Sequence, residues 1–467
     1  MSSRLLKVYH RLPPKARSAV ATLRGWYLLR SRYGKGSAAL SAEARERDEW
    51  TPQQWKTWVE ERVAYMLHRA ATRVPYYRNL WQERRRRGDR AAWDVLAHWP
   101  LLEKNAVRMH PRDFLAEDCD PRRMFREHTS GTTGTPVLIW RSRESLEQLY
   151  AIADDRTCGW ENIPKGVRWA RLGGQLVTPV RQRRPPFWVW NAAMRQLYLS
   201  SYHLAPDLIP HYLDALARYR ITYIAGYPSS VFALAQEALR LKYDLPMLAI
   251  HTNAEPLLPV QRETIAAAFK CPVRETYGMA ESVAAASECP HGTLHQWPEF
   301  GHVEVMPDGE LVCTGLLNPD MPLIRYRVGD RGNVADQAPC SCGRGLPRMG
   351  AVDGRRDDVL VTPDGRLVGR LDPVFKGTHA IREAQIIQEA LDHVRVLLSP
   401  APGFTKGDAT EMIENLLDRM GGDVRVTVEL VDALPRTSNG KVRAVVCNVP
   451  PEVRATALRQ RTTAASR

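Results

Sequence analysis

The sequence predicts an α/β protein in which a large N-terminal domain of mixed sheets flanked by helices precedes a small α+β C-terminal domain. Between residues 145 and 270, helical spacings such as "SLEQLYAIADD" alternate with short apolar runs such as "ITYIAGYP", which is the pattern of an α/β domain. Between 299 and 370, the stretches "GHVEVMPDGELVCTG" and "VLVTPDGRLVGR" each join two alternating runs through Pro-Asp-Gly. These stretches predict hairpins and therefore a small β subdomain.

The elements divide the chain into four predicted segments. Residues 1–70 form a basic helical extension, 71–354 the large domain, 355–450 the small domain, and 451–467 a polar tail that frays. In the small domain, "HVRVLLS" and "VRVTVELV" alternate like strands, and "GDATEMIENLLDRMGG" has helical spacing. Asp408 and Glu411 fit a capping box at the start of that helix, and the two glycines end it.

Positive charge is concentrated in a few stretches of the chain. The net charge is +14, the first 42 residues carry no acidic side chain, and arginines cluster in "QERRRRGDR" and "RQRRPPF". Such patches suit nucleic acid or an anionic membrane, but a surface that uses arginine throughout explains them as well, and we do not expect a nucleic-acid partner. In the N-terminal arm, Leu, Val, Tyr and Trp are mixed with the basic residues, so contact with a membrane surface stays open.

The cellular location is predicted from what the N-terminus lacks. Its apolar runs are short, and no hydrophobic segment precedes a small-residue cleavage site of the secretory type. No apolar run approaches the roughly 18 residues that span a bilayer. We therefore expect a cytoplasmic protein, in which the eight cysteines do not form a disulfide framework.

Residues 128–137, "HTSGTTGTPV", are the first stretch with a chemical signature. The glycines let backbone amides approach a ligand, and the hydroxyls of Ser130, Thr132 and Thr133 supply donors, a combination that suits phosphate oxygens. The stretch is neither a Walker A loop nor a G-x-G-x-x-G motif. Taken alone, it predicts a polar turn as readily as a phosphate cradle.

Four later stretches carry groups that a nucleotide-dependent reaction needs. "ETYGMAES" offers an aromatic ring for a base and a carboxylate for a hard cation such as Mg²⁺. "PLIRYRVGD" ends in a carboxylate suited to ribose hydroxyls, and "GRRDDVL" places an arginine where the two domains meet. "LPRTSNGKVR" presents a lysine beyond a turn of the small domain. The residues concerned are Tyr277, Gly278, Glu281, Asp330, Arg355 and Lys441.

In this order and spacing, the five stretches resemble the adenylate-forming superfamily of acyl-CoA synthetases, nonribosomal peptide adenylation domains and luciferases. The resemblance covers roughly residues 70–447. Within the superfamily, "VPYYRNLW" and "GRLVGRL…EAQIIQE" resemble the phenylacetate–coenzyme A ligase branch and its CapK-like members. The resemblance implies a large AMP-binding domain, a mobile C-terminal domain, and a cytosolic AMP-forming acid–thiol ligase. Such an enzyme uses ATP and Mg²⁺ to make an acyl-adenylate from a carboxylic acid and then transfers the acyl group, often to coenzyme A.

The resemblance also implies a role for each site residue. Lys441 would bridge the carboxylate and the α-phosphate during adenylation, and Asp357 would lie at the hinge about which the small domain rotates. Glu281 would bind Mg²⁺, Asp330 the ribose, and Arg355 the ribose or phosphate. The remaining contacts would fall to Tyr277 and Gly278 at the adenine and to Ser130, Gly131, Thr132, Thr133 and Gly134 at the β- and γ-phosphates.

Departures from the family pattern keep two alternatives open. Thr135 stands where the family often has lysine, and Ala280 stands where a hydroxyl residue usually precedes Glu281. A catalytically degenerate ligase scaffold that binds nucleic acid or membrane is therefore one alternative. The CapK-like resemblance gives the other, in which the acyl group passes to an amine or a sugar hydroxyl rather than to coenzyme A.

A cysteine and histidine pattern predicts a metal site. Cys340 and Cys342 lie one residue apart, and Cys289, His291 and His295 lie about 50 residues upstream. Such a set can bind Zn²⁺ tetrahedrally, although reduced thiols in a turn are the simpler reading. Members of the resembled branch carry a similar set, and position favours His295 over His291. With four protein ligands, the predicted Zn²⁺ is structural.

Overall fold

The computed structural model describes residues 3–128, 137–333, 335–336, 338–353, 359–369, 371, 374, 380–401, 403–432, 434–435 and 443–464. Helices dominate the first quarter of the chain: α1 (Ser3–Arg11), α2 (Pro14–Arg32), α3 (Ser37–Asp48), α4 (Pro52–Arg73), α5 (Pro75–Arg86) and α6 (Lys104–Met109). Helix α4 begins at a capping box of Thr51 and Gln54 with proline at its first position. It runs through the predicted boundary at residue 70 and buries Met66 and Leu67 in the core of the large domain.

The polar stretch 128–137 lies between two paired strands, as its flanking sequence predicts. Strand β1 (Phe125–His128) is antiparallel to β2 (Leu138–Arg141), and the pair His128–Leu138 closes the ladder. Both ends of the stretch are therefore held next to each other. Helix α7 (Arg143–Asp154) follows directly, capped by the Ser142 side chain.

An eight-stranded sheet forms the centre of the large domain, in the order β10-β9-β8-β7-β6-β3-β5-β4. Strands β5, β3, β6, β7 and β8 are parallel, and the strands outside them are antiparallel. The strands are β3 (Trp169–Gly173), β4 (Trp188–Asn191), β5 (Gln196–Ser200), β6 (Tyr223–Gly226), β7 (Ala249–Asn253), β8 (Val273–Gly278), β9 (Ala285–Glu288) and β10 (Leu294–Gln296). The helices between them are α8 (Ile209–Arg218), α9 (Pro228–Arg240) and α10 (Pro259–Phe269).

The two faces of this sheet differ in polarity. One face presents fully buried apolar residues, such as Leu172, Ile224 and Ile250, to α8, α9 and α10. The parallel strands carry polar side chains on the other face, including Arg171, Tyr198 and His251. Because side chains alternate along a strand, this polar face is fixed by the same register that builds the core.

A four-stranded antiparallel sheet forms the predicted β subdomain. Its strands are β11 (Gly301–Val305), β12 (Glu310–Gly315), β13 (Tyr326–Gly332) and β14 (Val352–Asp353), paired in chain order. The predicted hairpin joins β11 and β12 through Pro307, Asp308 and Gly309. Gly309 has a φ of 84°, which favours glycine at this position.

The C-terminal part contains a second hairpin and a small α+β unit. Strands β15 (Leu360–Val361) and β16 (Leu367–Val368) form the hairpin; then follow β17 (Ile381–Ala390), β18 (His393–Pro400), α11 (Lys406–Met420), β19 (Arg425–Leu430) and β20 (Val445–Cys447) in a sheet of order β19-β18-β17-β20. The predicted cap of α11 is wrong by three residues. Thr405 and Asp408 form the capping box, because Thr405 can exchange side-chain and backbone hydrogen bonds with Asp408. The tail expected to fray forms helix α12 (Pro451–Ala464).

Arg366 joins the C-terminal part to the large domain. Its side chain is 1% exposed and donates to the carbonyl of Tyr202 at 2.7 Å and to that of Met420 at 2.6 Å. Asp364 accepts from its Nε at 3.0 Å. Across the described ranges, no helix is both long and apolar enough to cross a bilayer.

Candidate functional site

The predicted nucleotide residues that the structure describes, Tyr277, Gly278, Glu281 and Asp330, lie together near the carboxyl edge of the central sheet. Strands β3, β6, β7 and β8 are parallel, so their carboxyl ends meet at one edge, where open α/β sheets bind ligands. Tyr277 and Gly278 are the last residues of β8 at this edge. The turn that follows carries Glu281.

Tyr277 and Asp330 are brought together from opposite sheets. The hydroxyl of Tyr277 donates to Oδ2 of Asp330, on β13, at 3.0 Å. Burial and then the neighbouring Asp330 carboxylate raise the pKa of Tyr277 well above its usual range, so the hydroxyl stays a neutral donor. The structure therefore places the two groups predicted for adenine and ribose side by side.

Glu281 is a buried carboxylate held by two partners that the sequence did not indicate. It is 6% exposed, and its Oε1 lies 3.1 Å from Nζ of Lys104 and 3.0 Å from the hydroxyl of Tyr326. Burial alone would raise the pKa of Glu281, but Lys104 and Tyr326 lower it below the usual value. Both contacts use Oε1, so Oε2 is the oxygen that a cation would take.

Arg141 fixes the turn that carries Glu281. Its guanidinium is fully buried and donates to the carbonyl of Ala280, to Oγ of Ser282 at 3.0 Å, and to Glu127 at 2.9 Å. Ser282 adopts a positive φ of 53°, a conformation that these contacts help to hold. Oγ of Ser282 accepts from Arg141 and keeps its own O–H as a donor, so a phosphate contact from Ser282 in place of the hydroxyl missing at Ala280 stays a prediction.

Lys104, Tyr326 and Arg141 were all missed by the sequence reasoning. Tyr326 precedes the predicted Asp330 by four residues in the same strand, which was an available signal. Lys104 is 177 positions before Glu281 and begins a six-residue helix without any local motif. Only the fold brings it to the site.

Several predicted site residues lie outside the described residues. They are Ser130, Gly131, Thr132, Thr133 and Gly134 of the polar stretch, Arg355, the hinge residue Asp357, and Lys441. Their roles stay predictions.

The predicted metal ligands form a compact cluster. Cys289, His295, Cys340 and Cys342 each offer one ligand atom, and these atoms all lie within 4.8 Å of one another. The Sγ atoms of Cys289 and Cys340 are 3.9 Å apart, and Sγ of Cys342 is 3.3 Å from Nε2 of His295. Zn–S bonds of about 2.3 Å give tetrahedral edges of about 3.8 Å, so the observed separations fit a four-ligand Zn²⁺ site.

The surroundings of the cluster favour ligation by His295. Its Nδ1 lies 3.1 Å from the carbonyl of Leu346, a contact that leaves Nε2 with its lone pair facing Cys342. His291 instead contacts Ser341, with Nδ1 3.0 Å from Oγ. Burial would raise the pKa of Cys340, but hydrogen bonding with Thr293 and His295 lowers it to about 6, which favours the thiolate that a metal binds.

The cluster connects three parts of the chain. Cys289 follows β9, His295 lies on β10, and Cys340 and Cys342 lie in the segment between β13 and β14. Trp55 of α4 and Trp160 pack against these cysteines. A bound metal would therefore fix the edge of the central sheet to the segment between β13 and β14, beside the N-terminal helix α4.

Comparison with known proteins identifies homologues along most of the chain. Residues 360–448 match the CapK C-terminal domain family. The chain is 22% identical to protein CapK of Staphylococcus aureus over 452 residues, which cover 95% of this chain and 99% of CapK. It is 26% identical to phenylacetate-coenzyme A ligase of Thermus thermophilus over 325 residues, covering 65% of this chain and 70% of the ligase.

A solved structure shares the fold. It is 2-hydroxyisobutyryl-CoA ligase in complex with 2-HIB-AMP and CoA in the thioesterification state, with a TM-score of 0.52 and 19% identity, covering 90% of this chain and 94% of that one. The predicted fold, with a large α/β domain and a small C-terminal domain, is confirmed. The resemblance to the adenylate-forming superfamily and to its CapK-like and phenylacetate–coenzyme A ligase-like members is confirmed as well.

Proposed function

We propose that this homologue of CapK and of the phenylacetate–coenzyme A ligases is an ATP-dependent ligase that converts a carboxylic acid into an acyl-adenylate. The observation that carries the proposal is the buried, charged Glu281 beside the Tyr277–Asp330 pair at the carboxyl edge of the sheet. A nucleotide seated there would find a ring, a ribose acceptor and a carboxylate for its metal ion.

The proposed reaction has two steps. An oxygen of the substrate carboxylate attacks the α-phosphorus of ATP, and the bond from that phosphorus to the bridging oxygen breaks, so pyrophosphate leaves with the electron pair. An acceptor then attacks the acyl carbon, AMP leaves, and the acceptor's proton passes to solvent. For coenzyme A, the acceptor atom is the thiol sulfur. Coenzyme A is proposed as the acceptor because a relative of this chain is named as a coenzyme A ligase.

The chain's own residues would prepare the first step by charge compensation. Bound Mg²⁺ would neutralise phosphate charge as a Lewis acid, and Oε2 of Glu281 is its proposed ligand. Lys104 keeps Glu281 ionised in a buried setting, and Arg141 orients the turn. Lys441 is the proposed cation for the meeting of carboxylate and α-phosphate, with Arg355 as a further nucleotide contact and Asp357 as the hinge.

We assign the Cys289–His295–Cys340–Cys342 cluster to structural Zn²⁺. The separations of the ligand atoms fit tetrahedral coordination. Four protein ligands leave no open position for a reacting group, so the proposed ion stabilises the fold and takes no part in the chemistry.

The test is pyrophosphate release from ATP with a panel of carboxylic acids, measured with and without coenzyme A. Acid-dependent pyrophosphate release is expected, and a thioester is expected only when coenzyme A is present. Release that leads to an amide or ester in the presence of an amine or sugar, but never to a thioester, would identify the alternative acceptor. A folded protein that neither binds ATP nor turns over any acid would refute the ligase proposal.

Lys441→Ala is expected to lower adenylation by roughly 10²- to 10³-fold, because it removes a cation from the developing charge. Thioester formation from a supplied acyl-adenylate should change far less, since the phosphate bond is already broken. The two half-reactions are measured separately as pyrophosphate release and as thioester formation. Equal losses in both would contradict the role assigned to Lys441.

Helix α2 packs polar and small residues against the large domain and exposes large apolar side chains to solvent. It buries Arg17 and Gly25 and leaves Leu23, Trp26 and Tyr27 in solvent, with exposures of 70%, 59% and 60%. Ser18 Oγ accepts from the backbone N–H of Trp190 at 3.2 Å, so the polar side covers the edge strand β4. The apolar side is accompanied by basic residues within the 42-residue stretch that lacks acidic side chains.

We further propose that this face binds an anionic lipid surface. Apolar side chains among cations suit the boundary of headgroups and acyl chains, whereas a second copy would bring like charges together. Leu23→Glu with Trp26→Glu should weaken co-sedimentation with phosphatidylserine vesicles at least about tenfold. Leu239→Glu, which alters a 45% exposed leucine on α9, is the control. Unchanged vesicle binding, or binding to nucleic acid alone, would refute the proposal.

A further inference from the structure

The polar face of the central sheet contains an arginine that neither the fold nor the nucleotide site explains. Arg171 lies in β3 between Ala170 and Leu172, both of which point into the apolar core, so its side chain points to the other face. Its register partners are Tyr198 on β5 and Ala225 on β6. Ala225 presents only a methyl group next to Arg171, and Arg171 is half-buried.

The groups around Arg171 are neutral. Tyr198 is its register neighbour on β5, and a Cβ on Gly173 would contact both the Tyr198 hydroxyl and Nε of Arg171. The hydroxyls of Tyr227 and Tyr150 lie near enough to interact electrostatically with the guanidinium. Burial raises the pKa of Tyr198 to about 12 although Arg171 opposes the rise, so this hydroxyl is neutral at physiological pH while the guanidinium is charged.

No carboxylate in the described part of the chain forms an ion pair with Arg171. The acidic residues on adjoining elements contact other groups. Glu127 accepts from Arg141 at 2.9 Å, Glu147 from Arg143 at 2.8 Å, and Asp154 from the hydroxyl of Tyr33 at 2.7 Å. Burying a cation among neutral groups is costly unless an anion compensates its charge. An anionic group of a ligand could supply that compensation to the half-buried Arg171.

Two glycines let the backbone approach this cluster closely. A Cβ on Gly173 would lie 3.0 Å from the Tyr198 hydroxyl and 3.8 Å from Nε of Arg171, and one on Gly174 would lie 3.2 Å from the Tyr202 hydroxyl and 3.3 Å from the Tyr227 hydroxyl. The backbone N–H of Gly174 donates to the Tyr227 hydroxyl at 3.3 Å. Gly173 ends β3 and Gly174 follows it, at the same carboxyl edge of the sheet as Tyr277 and Gly278 of β8, which is the edge where open α/β sheets bind ligands.

We propose that Arg171, with Tyr150, Tyr198 and Tyr227, binds a second anionic group on the carboxylic acid that the enzyme activates. The proposal rests on the proposed ligase function and adds its substrate class: acids that carry a carboxylate, sulfonate or phosphate besides the reacting carboxylate. Strands β3 and β8 are separated by β7 and β6, about 14 Å at roughly 4.8 Å per strand. That separation places Arg171 at the far end of the acid from the adenine site.

Matched pairs of acids test the proposal in the pyrophosphate assay. The pairs are butanoate with succinate, pentanoate with glutarate, hexanoate with adipate, and benzoate with terephthalate; 3-sulfopropanoate and 3-phosphoglycerate distinguish the other two anions. At least one doubly anionic acid should exceed its neutral partner about 100-fold in kcat/KM. Arg171→Gln should remove most of that preference, acting mainly on KM, and Arg171→Lys should restore part of it.

Arg168→Gln is the matched control, because Arg168 is an exposed arginine three residues before Arg171 and should leave the preference unchanged. A preference for the neutral acid in every pair would overturn the proposal. Equal losses for both members of each pair in Arg171→Gln would also overturn it, since a purely structural arginine or one that binds the reacting carboxylate acts on all acids alike.

A binding readout separates this proposal from the ligase function. Should no acid release pyrophosphate, the ligase proposal fails, and the thermal midpoint of the intact protein still reports on Arg171. Millimolar doubly anionic acids are expected to raise the midpoint of the wild type and not that of Arg171→Gln. No shift in the wild type with any of these acids would overturn the inference.

Discussion

Replacing Cys342 with serine is expected to abolish binding of the proposed Zn²⁺ in the purified protein and to lower the thermal midpoint by on the order of 10 °C. Structural zinc contributes on the order of 10 kcal/mol to the folding of small domains, and here the ligands come from three separate segments. Loss of the ion would detach the segment around Cys340 from β9 and β10. Metal content by mass spectrometry and the thermal midpoint by calorimetry are the two measurements.

Two controls isolate the zinc cluster. Cys119→Ser removes a half-buried thiol outside the cluster and should keep the metal. His291→Asn should also keep it, whereas His295→Asn should lose it, because only His295 belongs to the compact group. A protein that is purified without zinc, and whose stability a chelator leaves unchanged, would show that the cysteines are ordinary reduced thiols.

Glu281→Gln is expected to lower pyrophosphate release by roughly 10²- to 10³-fold, because it removes the carboxylate proposed to bind the metal ion at the transferring phosphate. It should also cost about 1 to 3 kcal/mol of stability. Its neutral amide leaves Lys104, whose side chain is 27% exposed, without a carboxylate partner.

The double variant Lys104→Met with Glu281→Gln separates these two effects. Stability should recover, since the unmatched ammonium is gone, whereas activity should stay low. Recovered activity in the double variant would contradict the assignment of Glu281 as a metal ligand.

The stability difference between wild type and Glu281→Gln also depends on pH. The folded-state pKa of Glu281 is lowered, so the contribution of the ionised Glu281 to stability is present above the unfolded pKa of about 4.3 and is lost as pH falls below it.

The fold could be predicted from local pattern because its signals are local. The Pro-Asp-Gly turns predicted both hairpins, and the alternation of helical spacings with short apolar runs predicted the α/β domain. The cap of α11 was misplaced because two acidic residues in the helix, Asp408 and Glu411, fit the same spacing as the actual pair, Thr405 and Asp408. Both pairs satisfy the spacing of a capping box, so spacing alone does not choose between them.

The site could be predicted only where its residues belong to recognisable motifs. Tyr277, Glu281 and Asp330 each lie in such a motif, and the structure brings them to one edge. Lys104 and Arg171 lie in segments without a motif, and their importance comes from contacts with residues far along the chain. The role of a charged side chain depends on which groups the fold places next to it. Those neighbours are distant in sequence, so local spacing does not predict them.

Arg366 has a consequence for the timing of the proposed catalytic cycle. Its guanidinium donates across the junction to Tyr202 of the large domain, while Asp364 and Met420 lie with it beyond the predicted hinge at Asp357. A C-terminal domain that rotates about Asp357 must give up the Tyr202 contact. Arg366 then has to be hydrated or donate to a new acceptor. Loss of the hydrogen bond to Tyr202 would therefore raise the free-energy barrier of the rotation that separates the two half-reactions.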